Sequence, residues 1–301
     1  MTNLLNTALT VCVHNGVFHA DDVICVALLQ IKYGIENVTV VRSRNSEDWE
    51  KADYVLDVGG INRIDMEHNK IWFDHHEKEF EKKAHENGVY YAACGKLAEY
   101  LGFPASLFDR ALYSVEAQDN GQKDISLQFP NPFGFVSTFN VEWDQNLFGP
   151  EQDQRFKEAV DMARTVLQNI LNSISLEQFA STLIADALTR SKGNAIVELD
   201  QYVGGWQKYI CQHNLLTPND QKLVIVFPSG KNWNIQVVPK SENSFESLAK
   251  LPFAGLRGTE LDKAAGIPGG VFVHPAGFLG SWQSKEAAMA IAQLTIAGTP
   301  R

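Results

Sequence analysis

Residues 14–22 read HNGVFHADD, two histidines and two aspartates in nine positions, set between the apolar runs TALTVCV and VICVALLQI. Three further places carry the same residue types: Asp57 in DVGG, Asp74-His75-His76 after KIWF, and Asp119 in EAQDNG. Carboxylates brought together repel one another, and burying them uncompensated is expensive. A pair of divalent cations removes that cost. Oxygen and nitrogen ligands without thiolates suit Mn2+, Fe2+, Co2+, Zn2+ or Mg2+. Two such ions about 3.5–4 Å apart share a carboxylate and a water, draw that water's pKa toward neutrality and favour in-line displacement at phosphorus. Each place taken singly has a plainer reading. His14 and His19 are then an incidental pair, Asp57 a turn residue before two glycines, Asp119 a helix end, and Asp22 a cap of the next helix. Adjacent imidazoles beside a carboxylate at 74–76 resist such a reading, and four places at successive element ends point to one centre.

The elements that must position these groups alternate along the first 125 residues. LTVCV, NVTVVRS, DYVLDVGG and KIWFDHH read as strands. DDVICVALLQIKYG, closed by Gly34, a short SEDWEKA, GKLAEYLG and ASLFDRALYSVEAQDNG read as helices. Strands alternating with helices predict an α/β fold with a doubly wound, mostly parallel sheet, in which ligands sit at the carboxyl ends of the strands. Residues 128–149 are rich in Pro, Gly, Asn and Phe and read as an ordered surface loop. An amphipathic helix is expected over 151–174, and a second one from Ser175 to the glycine at 193. Beyond it AIVELDQ, KLVIVFPSG, NWNIQVVPK and GGVFVHP predict a smaller mixed α/β domain, with a hairpin at FPSGKNW and a closing helix in KEAAMAIAQLTIAG. The expected division is 1–190, carrying the metal centre and a helical extension, and 191–301 for substrate binding.

Composition narrows the function classes. The chain has 301 residues, 45% hydrophobic, with a mean hydropathy of −0.18, and no apolar run of the roughly 18 residues that a membrane helix needs. The start, MTNLLNTALTVCV, lacks a basic segment, so no secretory leader is expected. Cys12, Cys25, Cys94 and Cys211 form no C-x-x-C pair, which points to reduced, buried thiols in a cytoplasmic protein. A net charge of −10 argues against coating long nucleic acid. Residues 221–301 nevertheless carry eight Lys/Arg against five Asp/Glu, leaving −13 on the remainder, a balance suited to cations in the first part and an anionic substrate in the last.

The succession HNGVFHADD, DVGG, FDHH and VEAQDNG resembles the DHH superfamily of metal-dependent phosphoesterases, which includes RecJ-type exonucleases and family II inorganic pyrophosphatases. More closely, the chain is similar to the melanocyte-proliferating-gene family, whose C-terminal block is matched by FPSGKNWNIQVVPK, GLRGTEL and GIPGGVFVHPAGFLG. The resemblance runs from about residue 11 to 295 and is weakest over 125–190. It implies two divalent ions, Mn2+ foremost, held by His14, His19, Asp21, Asp57, His75 and Asp119, with Asp57 bridging. Asp74 would orient an imidazole, and His76 would face the substrate and protonate the leaving oxygen. His19 stands where the wider superfamily has an aspartate, which shifts the preference toward a softer ion. In the C-terminal block Arg257 would grip phosphate, backbone N–H groups at Gly269 and Gly270 would approach an anion, and His274 would touch substrate. Tight turns explain the same glycines equally well. Trp233 and Phe227 are core residues or base-stacking ones. Phe253-Ala254 and Gly280-Ser281 depart from the family's pattern.

The activity so implied is 3′–5′ exoribonuclease action on single-stranded RNA, releasing mononucleotides. A phosphoesterase for small phosphoanhydrides or dinucleotides, a hydrolase of other bonds, and a metal-loaded RNA-binding module without turnover stay open, as does assembly into an oligomer.

Overall fold

The computed structural model describes residues 8–76 and 83–298, which fall into two compact units divided between Ile174 and Ser175. The first unit is built on a five-stranded sheet. Strand β1 (Leu9–Val13) leads into helix α1 (Ala20–Tyr33), then β2 (Val38–Arg42), the short α2 (Ser46–Trp49), β3 (Tyr54–Leu56), β4 (Arg63–Asp65) and β5 (Lys70–Phe73). The strand order is β2-β1-β3-β5-β4. Every pairing is parallel except the edge pair β4–β5, which is antiparallel. This is the mostly parallel sheet the alternation predicts. The edge strand RID carries no strand signal in the sequence: it is three residues long, two of them charged, and leaves Ile64 exposed.

Side chains alternate through the sheet as pleating requires. Leu9, Val11 and Val13 of β1, Tyr54 and Leu56 of β3, and Ile71 and Phe73 of β5 face the main core. Cys12, Val55 and Trp72 face a small cluster on the other side with Ala52 and Val58. Burial on both faces explains why these strands read as near-continuous apolar runs. The main core is filled by α1, buried from Asp21 to Leu29, and by α3 (Ala93–Tyr100), α4 (Ala105–Leu107) and α5 (Tyr113–Asp119). ASLFDRALYSVEAQDNG is helical as expected, but Phe108–Leu112 form a π-helical turn between α4 and α5. Residues 128–149 hold no strand and one short 3-10 turn, Val136–Phe139.

Two helices expected over 151–193 are one, α6 (Pro150–Arg190). Pro150 suits a helix start, and neither Gly nor Pro occurs again until after Arg190. With no breaker near Ser175, the helix runs straight through it. Phe156, Val160, Ala163, Leu167 and Ile174 pack in the first unit's core, whereas Ala180, Ile184 and Ala187 pack in the second's.

The second unit has strands β6 (Ile196–Glu198), β7 (Val224–Ser229), β8 (Asn232–Val237), β9 (Gly270–Val273) and β10 (Leu279–Trp282) in the order β6-β7-β8-β10-β9. Only β6–β7 is parallel. The β7–β8 hairpin turns at Gly230-Lys231, one residue later than Ser-Gly suggested, with Gly230 at φ 61°. Helix α7 (Trp206–Leu216) lies on one core, while α8 (Gly258–Ala265) and α9 (Lys285–Ala297) lie on the other. Neither α7 nor α8 was foreseen. Phe227 is a core residue and Trp233 packs at the core's edge. Lys222, completely buried, donates to Ser191 O, Asn194 O and Asp220 Oδ1 at 2.7–2.9 Å. All four cysteines are free and buried. No described helix is long and apolar enough to cross a membrane.

Candidate metal centre

The sheet order places β3 between β1 and β5, so three parallel strands release their next residues side by side. His14 follows β1, Asp57 follows β3, and Asp74, His75 and His76 follow β5. Asp57 leaves its strand through a left-handed backbone, φ 54°, a conformation that Asp tolerates better than most residues. Its N–H still donates to Phe73 O at 2.9 Å. Asp21 and Asp22 enter from the first turn of α1, and Asp119 from the last residue of α5.

These side chains converge. His14 Nε2 lies 3.5 Å from Asp57 Oδ2 and 3.5 Å from Asp22 Oδ2. His75 Nε2 lies 3.6 Å from Asp57 Oδ1 and 2.6 Å from Asp119 Oδ2, yet that last pair is not aligned for a hydrogen bond. His76 Nδ1 is 2.8 Å from Asp74 Oδ1 and 3.5 Å from Asp57 Oδ1. Ligand-competent atoms of His14, His19 and Asp57 come within 4.8 Å of one another, as do those of Asp21, His75 and Asp119. Asp57, Asp74, His75 and His76 form a third such set.

The residues fit a pair of cations. Both oxygens of Asp57, Asp22 Oδ2, Asp119 Oδ2 and His75 Nε2 are buried without a hydrogen-bond partner among the described residues. Orphaned buried acceptors of this kind are rare, and a cation satisfies them. Asp22 Oδ1 accepts the His19 N–H at 2.9 Å and caps α1, while Oδ2 faces His14. Asp21 accepts the Ala93 and Cys94 N–H groups at 3.0 and 2.7 Å, which fixes its carboxylate at the start of α3.

Electrostatics follow from burial and crowding. Burial, then the charges of Asp57 and Asp119, drive Asp21 well above the carboxylate range. Burial foremost raises Asp22 to about 7. Burial also opposes ionisation of Asp57, but His14 and His75 outweigh it and pull its carboxyl down. Burial disfavours the charged form of His75, yet Asp119 and Asp57 raise it to about 11. At Asp74 the same penalty is overcome first by the His76 ring, 2.8 Å from Oδ1, then by the Gly60 N–H to Oδ2 at 2.7 Å and the His76 N–H to Oδ1. Asp74 therefore stays ionised and holds His76, whose pKa rises chiefly through that carboxylate. The His76 side chain remains 63% exposed.

Several supports carried no sequence signal. Gly16 O, inside the HNGVFH loop, accepts from Arg42 Nη2 at 2.7 Å and Gln152 Nε2 at 2.9 Å. Asn140 pairs with Phe18 through both its amide groups at 3.0 Å. Lys96 Nζ and Asn62 Nδ2 hold Asp74 O, and Asn120 Oδ1 faces His75 Nδ1 at 3.4 Å. These partners lie 12 to 136 residues from what they hold, beyond the reach of local spacing.

In the second unit Arg257 is exposed at the start of α8. Gly269 has φ 84°, with Gln283 side-chain atoms 3.3–3.7 Å from where its Cβ would lie. The Gly270 N–H is not free for an anion: it donates to Asp262 Oδ1 at 2.7 Å, and a Cβ there would meet Leu261 at 2.7 Å. Gly270 is a packing glycine against α8, a correction of the anion-binding expectation. The His274 ring lies tilted against Phe278, with ring centroids 4.5 Å apart, and its Nδ1 accepts the Ala276 N–H.

The chain as a whole is similar to known proteins. Residues 10–296 match the MYG1 exonuclease family model, described as Uncharacterised protein family (UPF0160). The MYG1 exonuclease of Bos taurus is 30% identical over 332 residues, covering 95% of this chain and 84% of the bovine protein. That of Homo sapiens is 29% identical over 330 residues, covering 94% and 85%. Among solved structures, the chain is similar to RecJ in complex with Mn2+ from Thermus thermophilus, at 11% identity and a TM-score of 0.27. That alignment covers 97% of this chain and 53% of RecJ, about half its length.

Proposed function

The chain belongs to the MYG1 exonuclease family, and from that premise we propose that it is a divalent-metal-dependent phosphodiesterase acting as a 3′–5′ exoribonuclease on single-stranded RNA. The relatives' name supports the coarse reading, a hydrolytic nuclease. The observation that carries the metal-dependent reading is Asp57: a buried carboxylate with two unpartnered oxygens, one turned to His14 and the other to His75. His14, His19 and Asp57 would hold one ion, and Asp21, Asp57, His75 and Asp119 the other. Two divalent ions bound there, Mn2+ foremost, would neutralise the carboxylates and acidify a water.

The chain's own residues do the rest. Asp74 fixes the His76 ring through Nδ1 and favours its protonated form. The exposed ring then delivers a proton through Nε2 to the departing 3′-oxygen. Arg257 and His274 bind the phosphate chain. A reducing, cytoplasmic setting is supported by four free buried cysteines. The test is an RNA ladder labelled at either end, incubated with Mn2+, Mg2+ or EDTA. Mononucleotides leaving from the 3′ end, abolished by EDTA, are expected. Binding without cleavage under every ion overturns the enzyme reading, and cleavage of dinucleotides alone overturns the polymer substrate.

A further inference from the structure

We infer that Phe148 is a nucleobase-stacking residue beside the loop that carries His14 and His19, so that the group bound there is a base of a single-stranded nucleotide chain. This rests on the nucleolytic reading above. An exposed phenylalanine by itself needs no explanation. This one, 69% exposed, is set apart by what it touches. A Cβ built on Gly16 would lie 3.2 Å from Phe148 Cε1 and 3.6 Å from Cζ. Gly16 has φ 86° and stands two residues after His14 and three before His19. A side chain at residue 16 would press on the ring, and the positive φ there is one that glycine adopts readily.

The backbone that carries the ring is fastened. The segment leading to it is fastened to the same loop by Asn140, which exchanges hydrogen bonds with the Phe18 N–H and C=O at 3.0 Å. Completely buried Gln152, just beyond it, accepts the Val141 N–H at 2.9 Å and donates to Gly16 O and Asn140 Oδ1. Asn146 Oδ1 accepts the Phe148 N–H at 3.0 Å. An aromatic face is thus held out to solvent at the rim of a cluster of carboxylates and imidazoles, where a flat, apolar, sequence-indifferent surface serves a base and offers nothing to inorganic phosphate. Stacking on an aromatic side chain is the common device of single-strand binding without sequence readout.

The experiment measures kcat and KM on a 10-mer single-stranded RNA with Mn2+, together with a calorimetric Mn2+ titration and a thermal melt for each variant. Phe148→Ala is expected to raise KM about tenfold or more, with a smaller change in kcat. Phe148→Trp restores KM. Phe148→Leu, which returns apolar area without a π-face, does not. Phe245→Ala, an exposed phenylalanine of the second unit, changes nothing, and the Mn2+ titration of Phe148→Ala matches the parent. A KM within about twofold of the parent for Phe148→Ala, on RNA that the parent cleaves, overturns the stacking role alone. So does rescue by Leu equal to that by Trp, or a weakened Mn2+ affinity, which would make the ring a prop for the loop. A parent that neither binds nor cleaves the RNA while hydrolysing inorganic pyrophosphate overturns the nucleolytic reading and the stacking role together.

Discussion

His14 Nε2 and Asp57 Oδ2 lie 3.5 Å apart, although they leave the sheet from neighbouring strands and share no segment of chain. Asp57 reaches that position through a left-handed backbone, and its second oxygen is left for His75. Asp57→Asn keeps the size and the tolerance for positive φ while removing the charge that two cations would share. The expected outcome is a folded protein with hydrolysis reduced about 100-fold or more and at least one Mn2+ site lost in a titration. Near-parental turnover with both sites filled would remove Asp57 from the centre.

Arg257 is exposed, makes no ion pair among the described residues, and sits at the start of α8 in extended backbone, φ −145°. Its backbone is bridged to Phe272 of β9, so the side chain is presented from a fixed point. Arg257→Ala is expected to raise KM for RNA about tenfold, with kcat changed far less, because a charge-assisted phosphate contact made equally in ground and transition states acts on binding. A loss confined to kcat would assign Arg257 to the chemical step.

Stripped of cations, the centre makes stability fall as pH rises. Asp21 and Asp22 are held above the ordinary carboxylate value of 3.8, Asp22 at about 7, by burial foremost. Their contribution is complete below that ordinary value and lost as pH climbs through the folded pKa. His14 and His75 are raised above 6.5, His75 to about 11, and what they contribute is complete below 6.5 and lost as pH rises toward the folded pKa. Asp57 and Asp74 run the other way, losing their contribution only as pH falls below about 4. In EDTA the melting temperature is therefore expected to drop from about pH 5 to about pH 8, and saturating Mn2+ to flatten or reverse that slope. Identical slopes with and without the ion would detach the centre from stability.

Sequence made the first unit's ligand groups legible because each sits at the end of an element that periodicity announces. A parallel sheet must bring the ends of β1, β3 and β5 together, so HNGVFHADD, DVGG and FDHH could be combined before any coordinates. What stayed hidden is whatever depends on the chain folding back. Gln152 and Asn140 hold Gly16 and Phe18 across more than 120 residues, and amides carry no pattern that distinguishes a buried clamp from a solvated surface. Gly270 misled for the opposite reason. A glycine at the start of a strand suits anion binding and close packing alike, and only the positions of Leu261 and Asp262 decide between them. In α6, the absence of Gly and Pro between Pro150 and Arg190 was the better guide than the break expected at Ser175.

Gly95 tests how α3 is locked behind the centre. Its missing side chain makes room for Glu116: a Cβ at Gly95 would lie 1.8 Å from Glu116 Oε1 and 2.4 Å from Cδ. Glu116 is completely buried, accepts the Ala92 N–H at 3.0 Å through Oε1 and lies 2.9 Å from His85 Nε2 through Oε2. Gly95→Ala must expel that carboxylate, orphaning a buried N–H next to the Ala93 and Cys94 groups that fix Asp21. The expected cost is about 3 kcal/mol or more, read as a lower urea midpoint, with weaker Mn2+ binding following from the displaced α3 start. Gly204, with open space around it, supplies the contrast: Gly204→Ala is expected to be neutral or slightly stabilising, by up to about 1 kcal/mol. Since the damage arises from one contact, Gly95→Ala combined with Glu116→Ala is expected to cost clearly less than the sum of the two single changes. Strict additivity would place the fault elsewhere in α3.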